Sequence, residues 1–146
     1  MTRFETTVAI ARPCDAVFAY VADPRHFPAW NSAVESVVPL NDATPAAGGR
    51  YVMQRQLPTG AATNELEIVT LRPPEELAIR TTNGPTPFVY RYEFAITGTA
   101  TLVTLYADVR IGGAASLLGP LAAQAIKRGV NTNLATLRDI LERADS

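Results

Sequence analysis

The chain has 146 residues, of which 47% are apolar and 18% are charged. This composition excludes wholesale disorder and suits one domain over residues 1–146. The net charge of −1 lacks the basic surplus that is typical of nucleic-acid-binding proteins. One cysteine and one histidine exclude an intrachain disulfide and nearly exclude a typical transition-metal site, so we expect neither a metal nor a cofactor.

The N-terminal segment predicts a strand followed by two short helices. Alternate residues of segment 4–10 share one face, as in a half-buried strand. Pro13 suits the first turn of a helix, and Asp23 followed by proline is typical of the start of a second helix, which carries Trp30.

The N-terminus alternates polar and apolar residues, unlike a signal peptide, and the chain contains no apolar run long enough to cross a membrane. We therefore expect a cytoplasmic protein without a membrane span.

The middle of the chain predicts six further strands. Turn-forming residues separate these segments, and no helical period lies between them, which is typical of an antiparallel meander. The predicted strands are 34–39, 50–57, 64–72, 76–82, 87–97 and 101–111.

The C-terminal segment predicts one long amphipathic helix that begins or bends at Gly119-Pro120. Its apolar face includes Gly129 and Asn133, which are unusual choices for a plain core, and its polar face includes Asn131. One interpretation is that small residues leave a void above the sheet, where Asn133 offers a ligand a hydrogen bond. Gly129→Leu and Asn133→Leu would then spare folding and impair binding. The alternative is close helix–sheet contact at Gly129, with Asn133 bonded to a neighbouring strand or helix.

The order of predicted elements indicates an α+β architecture in which helices cover one face of a curved sheet. The segments 10–24 and 27–31 resemble the N-terminal signature of the START-like, or Bet v 1-like, superfamily, and more narrowly the bacterial polyketide cyclase/dehydrase group. Further matching motifs are Gly48-Gly49-Arg50-Tyr51, Pro73-Pro74-Glu75-Glu76-Leu77 and Thr97-Gly98-Thr99. The resemblance implies a helix-grip fold, in which a seven-stranded antiparallel sheet, two short helices and a long C-terminal helix surround an internal apolar cavity.

The resemblance leaves three functions open, because its members include carriers, enzymes and interaction modules. The first is binding of a hydrophobic small molecule, such as a lipid, polyketide or isoprenoid-like compound. The second is a metal-free cyclase, aromatase or dehydratase that acts on a polyketide-like chain. The third is a protein-interaction module of the chaperone-activator kind. The sequence is compatible with a monomer or a homodimer.

The predicted ligand-binding residues are aromatic or polar side chains expected near the cavity. Tyr90 and Tyr92 share one face of a predicted strand, and Tyr106 lies on the next strand. Aromatic rings with a polar tip suit a pocket that holds an apolar ligand and fixes one polar group. Trp30, Gly129 and Asn133 complete the predicted set.

No catalytic residue is assigned from the sequence. His26 is interpreted as an exposed helix residue, and Cys14 as a small residue at a helix start, since neither has a partner at motif spacing. The pairs Glu65/Glu67 and Glu75/Glu76 are interpreted as solvated carboxylates.

Overall fold

A computed structural model describes residues 2–42, 44–57, 60–110 and 119–144. Its elements follow the predicted order. They are β1 (Thr2–Ile10), α1 (Cys14–Val21), a 3₁₀ turn (Pro24–His26), α2 (Phe27–Trp30), β2 (Val34–Pro39), β3 (Arg50–Leu57), β4 (Gly60–Arg72), β5 (Glu76–Asn83), β6 (Phe88–Thr97), β7 (Ala100–Val109) and α3 (Pro120–Ala144). The strand predicted at 101–111 thus ends at Val109, and residue 111 lies outside the described residues.

Within the described residues, the seven strands form one antiparallel sheet in the order β1-β7-β6-β5-β4-β3-β2. β1 joins the far end of the meander by pairing with β7 from Thr2 opposite Val109 to Ile10 opposite Thr101. The register shifts twice along β4, between Glu65 and Leu66 and again before Thr70. Such bulges bend a strand and increase its twist. The predicted antiparallel sheet with two short helices and a long terminal helix is confirmed.

The short helices start where local sequence favours a start. The Asp23 carboxylate accepts the backbone N–H of Arg25 at 3.0 Å and so caps the 3₁₀ turn. Pro13 immediately precedes α1 with a φ of −59°, which suits the entry to a helix.

The hydrophobic core lies between the helices and the concave face of the sheet. Each strand contributes alternate side chains to this face, as its period of two requires. The helices contribute the buried side chains of Val17, Phe18 and Val21 from α1, Phe27 and Trp30 from α2, and Leu134, Leu137 and Leu141 from α3.

The C-terminal part of α3 is held by hydrogen bonds to the N-terminal segment. Arg12 donates to the carbonyl of Leu141 at 2.8 Å, and the Glu142 carboxylate accepts the backbone N–H of Ala11 at 2.8 Å. Nearer the middle of the helix, the Thr6 hydroxyl donates to the side-chain oxygen of Asn131.

The first three turns of α3 are more exposed. Ile126 and Val130 are half-buried, whereas 68% of Leu121 is exposed. Among the described residues, no hydrogen bond joins 120–130 to another element. None of the helices in the described ranges combines the length and apolar character needed to cross a membrane.

Candidate functional site

Strand β6 places an aromatic row at the centre of the concave face. Phe88, Tyr90, Tyr92 and Phe94 follow one another at period two and face the helices. The register places Leu77 and Ile79 of β5 beside this row on one side. On the other side Tyr92 pairs with Leu105 and Tyr90 with Ala107. The result is an apolar surface with two phenol groups in it.

The predicted pair of tyrosines is brought together. Tyr90 lies against Phe88 with ring centroids 4.4 Å apart, and against Tyr92 edge-on at 6.4 Å. Burial raises the pKa of Tyr90 to about 12, and burial also raises the pKa of Tyr92. Both phenols therefore keep their protons at neutral pH and can donate a hydrogen bond. Neither hydroxyl has a hydrogen-bond partner among the described residues.

Arg55 is a site residue that the sequence analysis missed. It belongs to β3, in phase with the buried residues Tyr51 and Met53, so its side chain starts on the concave face. Its Nε donates to Asn64 at 2.8 Å and its Nη2 donates to the carbonyl of Pro85 at 2.9 Å. The guanidinium lies 5.7 Å from the ring centroid of Phe88.

The charge of Arg55 has no acidic partner among the described residues. Burial lowers the pKa of the Arg55 guanidinium, although arginine stays protonated in proteins. A half-buried positive charge without a counter-charge is an unusual feature of an apolar surface. The signal in the sequence is one arginine in the phase of Tyr51 and Met53, which a strict count of alternation would have found.

Trp30 is the last residue of α2, and Asn133 of α3 bonds to the two residues that follow it. Trp30 is buried and packs edge-on against Phe27 at 5.6 Å, and its indole N–H is buried without a hydrogen-bond partner. The Asn133 side chain accepts the backbone N–H of Ser32 at 3.2 Å and donates to the Asn31 side chain at 3.2 Å. The protein thus already uses both ends of the Asn133 amide, for bonds to the two residues that follow α2, whereas the alternative interpretation expected partners within a strand or helix.

Tyr106 lies on the convex face rather than with Tyr90 and Tyr92. Its neighbours in β7, Leu105 and Ala107, are the residues that face the core. The Arg91 guanidinium covers the Tyr106 ring at 4.2 Å, and both border a surface groove of about 550 Å³. The expectation that Tyr106 lines the internal site is therefore corrected, because the β6–β7 register turns it outward.

Gly129 is exposed, and a Cβ atom there would meet no atom within 4 Å. Leu134 and Leu137 instead mark the centre of the buried face of α3. The expectation that Gly129 occupies the middle of that face is corrected, because Gly129 lies about 100° around the helix from the centre of the inward stripe. That stripe consists of Ile126, Val130, Leu134, Leu137 and Leu141. Asn131, which we expected to face solvent, consequently bonds to Thr6.

The remaining ionisable residues show no catalytic arrangement within the described ranges. The His26 ring stacks on Tyr20 at 4.2 Å, and its Nδ1 lies 2.8 Å from the Tyr20 carbonyl. Burial raises the pKa of the Cys14 thiol, which donates to the carbonyl of Pro74.

The paired carboxylates are engaged in ion pairs. Glu65 and Glu67 form ion pairs with arginines across the sheet, and Glu75 and Glu76 form ion pairs with Arg72. No three His, Cys, Asp or Glu side chains of the described residues are grouped to hold a metal ion.

The curved antiparallel sheet, its long terminal helix and the partly polar concave face define a helix-grip protein. Residues 1–142 match the family described as polyketide cyclase / dehydrase and lipid transport, and the chain belongs to this family.

Solved structures from several bacteria share the fold. The protein TTHA0849 from Thermus thermophilus is 17% identical with a TM-score of 0.80, over 99% of both chains. A START superfamily protein from Mycobacterium smegmatis is 16% identical with a TM-score of 0.76, also over 99% of both. Zhui aromatase/cyclase from Streptomyces sp. R1128 is 17% identical with a TM-score of 0.76, over 99% of this chain and 95% of its own. A comparison with curated proteins found no significant match.

Proposed function

We propose that the protein binds a hydrophobic small molecule, such as a lipid, polyketide or isoprenoid-like compound, between the concave face and α3. The observation that carries the proposal is Arg55, a half-buried guanidinium with no acidic partner among the described residues, on an aromatic and aliphatic surface. Ligand sites typically combine an apolar lining with a few such polar groups, which orient the ligand.

Partial exposure of apolar groups on both sides of this space supports the proposal. Phe4 and Tyr90 on the sheet are half-buried, and so are Ile126 and Val130 on α3, although all four pack against the core. A bound apolar molecule would remove their remaining surface from water, which favours binding by about 25 cal/mol per Å². Trp30, with its unpartnered indole N–H, is a further candidate for contact with the ligand.

Two tyrosines on opposite faces provide a matched test. The probe is N-phenyl-1-naphthylamine, a neutral apolar dye whose fluorescence rises on binding. We expect Tyr90→Ala to weaken binding about tenfold, since a buried aromatic contact contributes that order of free energy. Tyr106→Ala removes the same atoms from the convex face and should leave binding unchanged. Equal effects of the two substitutions, or no binding by the wild type, would refute the proposal.

Native mass spectrometry of freshly purified protein identifies the natural ligand. A ligand retained during purification would add a defined mass to the 146-residue chain. The same measurement reports whether the protein is a monomer or a homodimer.

The second candidate is a cyclase, aromatase or dehydratase that acts on a polyketide-like chain. The observation that favours it is the presence of protonated phenols and a guanidinium on one apolar surface, where they could polarise a carbonyl group. The description of the family and the similarity to an aromatase/cyclase support the same class. Conversion of a poly-β-ketone thioester in amounts exceeding the protein, lost in Arg55→Met, would distinguish an enzyme from a carrier.

The third candidate, a protein-interaction module, has no comparable support. The large exposed apolar side chains of the described residues are spread over several elements rather than confined to one. They are Val38, Leu40, Val69, Val89, Ile96 and Leu121.

A further inference from the structure

We propose that Asn64 is a positioning residue, which together with the β5–β6 turn holds the Arg55 guanidinium ready for the polar group of a ligand. This inference rests on the proposed function of the concave face. Asn64 is one of few polar residues in the core, with only 1% of its surface exposed.

The Asn64 amide has its orientation set by three hydrogen bonds. Its Nδ2 donates to the backbone carbonyls of Asn83 at 3.1 Å and Pro85 at 2.8 Å. Two carbonyls can accept only from the NH₂ end, so the oxygen end must face Arg55. That oxygen accepts Arg55 Nε at 2.8 Å. Asn64 is therefore a fixed link between the turn and the arginine.

The turn approaches so closely because residue 84 is glycine. A Cβ atom at Gly84 would lie 2.3 Å from the Thr63 carbonyl oxygen and 2.6 Å from Asn64 Nδ2, and the φ of +100° also favours glycine. With the turn in this place, the Pro85 carbonyl accepts hydrogen bonds from both Asn64 and Arg55.

These contacts use two of the three guanidinium nitrogens of Arg55, Nε and Nη2, and leave Nη1 available. Nη1 makes no hydrogen bond within the described residues. An arginine held in this way keeps a charged donor available without losing further side-chain freedom when a ligand binds. By holding Arg55, Asn64 would thus raise the affinity for a ligand that carries an anionic or strongly accepting oxygen.

Two dyes with the same aromatic skeleton separate the polar contribution from the apolar one. 8-Anilinonaphthalene-1-sulfonate is anionic, whereas N-phenyl-1-naphthylamine is neutral. We expect Asn64→Ala to weaken binding of the anionic dye about tenfold, the order gained by fixing one long side chain. Binding of the neutral dye should change less than about twofold. Thr63→Ala is the matched control, since Thr63 bonds only to Gln54 through its side chain.

A double-mutant cycle with Arg55→Met tests whether Asn64 acts through the arginine. In the Arg55→Met background, Asn64→Ala should have no further effect on binding of the anionic dye. The same loss in both backgrounds would overturn the inference, because it would show a general structural role. Failure of the wild type to bind either dye would refute the proposed function as well. If the wild type binds the neutral dye but Asn64→Ala leaves the ratio of the two dye affinities unchanged, only the positioning role of Asn64 is refuted.

A measurement on the wild type keeps the inference testable if Asn64→Ala does not fold. The Arg55 Nε–H should give a separate ¹⁵N–¹H NMR signal that exchanges slowly with water at neutral pH, because Asn64 accepts it. Adding the anionic dye should shift this signal. Rapid exchange, or a signal that the anionic dye leaves unmoved, would overturn the inference.

Discussion

Asn133→Leu tests how α3 is attached to α2. The substitution keeps the number and branching of the side-chain heavy atoms but removes three hydrogen bonds to the 31–32 segment. Two of them are 3.2 Å long, and the third, from the Ser32 hydroxyl, is 3.5 Å long. Asn31 keeps a second partner, since its side chain also accepts the backbone N–H of Ala33 at 3.1 Å. Ser32 is exposed, so water can replace its lost acceptor. The expected destabilisation therefore lies near the lower end of the usual range, at about 1–2 kcal/mol in total.

Urea denaturation followed by circular dichroism measures this difference. The urea midpoint should fall without a change in slope, and the thermal midpoint should fall by about 3–7 °C for a chain of this size. Gly129→Ala is a suitable control one turn earlier, where the space is open. It should stabilise the helix by about 1 kcal/mol.

Equal stability of Asn133→Leu and the wild type would refute this reasoning. It would show that water replaces the Asn133 amide without loss, and it would revive the earlier interpretation that Asn133 serves the ligand. A cycle with Asn31→Ala provides a second check, since the direct bond predicts a coupling of about 0.5–1 kcal/mol.

Three further predictions concern buried polar groups. Tyr51→Phe should leave stability unchanged or raise it by about 1–2 kcal/mol, because the buried Tyr51 hydroxyl has no partner, and a loss seen in urea denaturation would contradict this. Burial raises the pKa of Asp23, but hydrogen bonds from Arg25 have the larger combined effect, so the folded-state pKa is lower than the unfolded-state value of about 4. The carboxylate therefore stabilises the fold above about pH 4. This stabilisation is lost as the pH falls through the folded-state pKa. Asp23→Asn keeps the cap, so its stability deficit at pH 7 in urea titrations should shrink below about pH 4, and a constant deficit would argue against the charge. The chain has one tryptophan, so a change in tryptophan emission on binding of a non-absorbing fatty acid reports on Trp30, and we expect such a shift. An unchanged emission spectrum during binding that calorimetry confirms would place the ligand away from Trp30.

The fold could be predicted because its determinants are local. Alternation at period two placed Tyr90 and Tyr92 on one face of β6, and the structure keeps them on the core side. Turn residues between the segments predicted the strand ends to within about two residues, except at the start of β4, which begins at Gly60 rather than at residue 64. They do so because proline fixes φ, whereas glycine and asparagine accept the positive φ values that many turns require. The same alternation could have identified Arg55, whose phase matches that of Tyr51.

Tertiary structure decided which face of each element is internal and which polar groups meet. Both faces of β7 contain apolar residues, so only its register with β6 shows that Ala107 faces the core and Tyr106 faces outward. The helical period predicted that Asn133 lies on the apolar face of α3. It could not predict the hydrogen-bond partners of Asn133, because they lie about a hundred residues away in the chain. Asn64 gave no signal at all in the sequence, because its role depends on carbonyl groups of the β5–β6 turn. Local patterns determine phase, whereas hydrogen bonds between distant segments exist only once packing has brought those segments together.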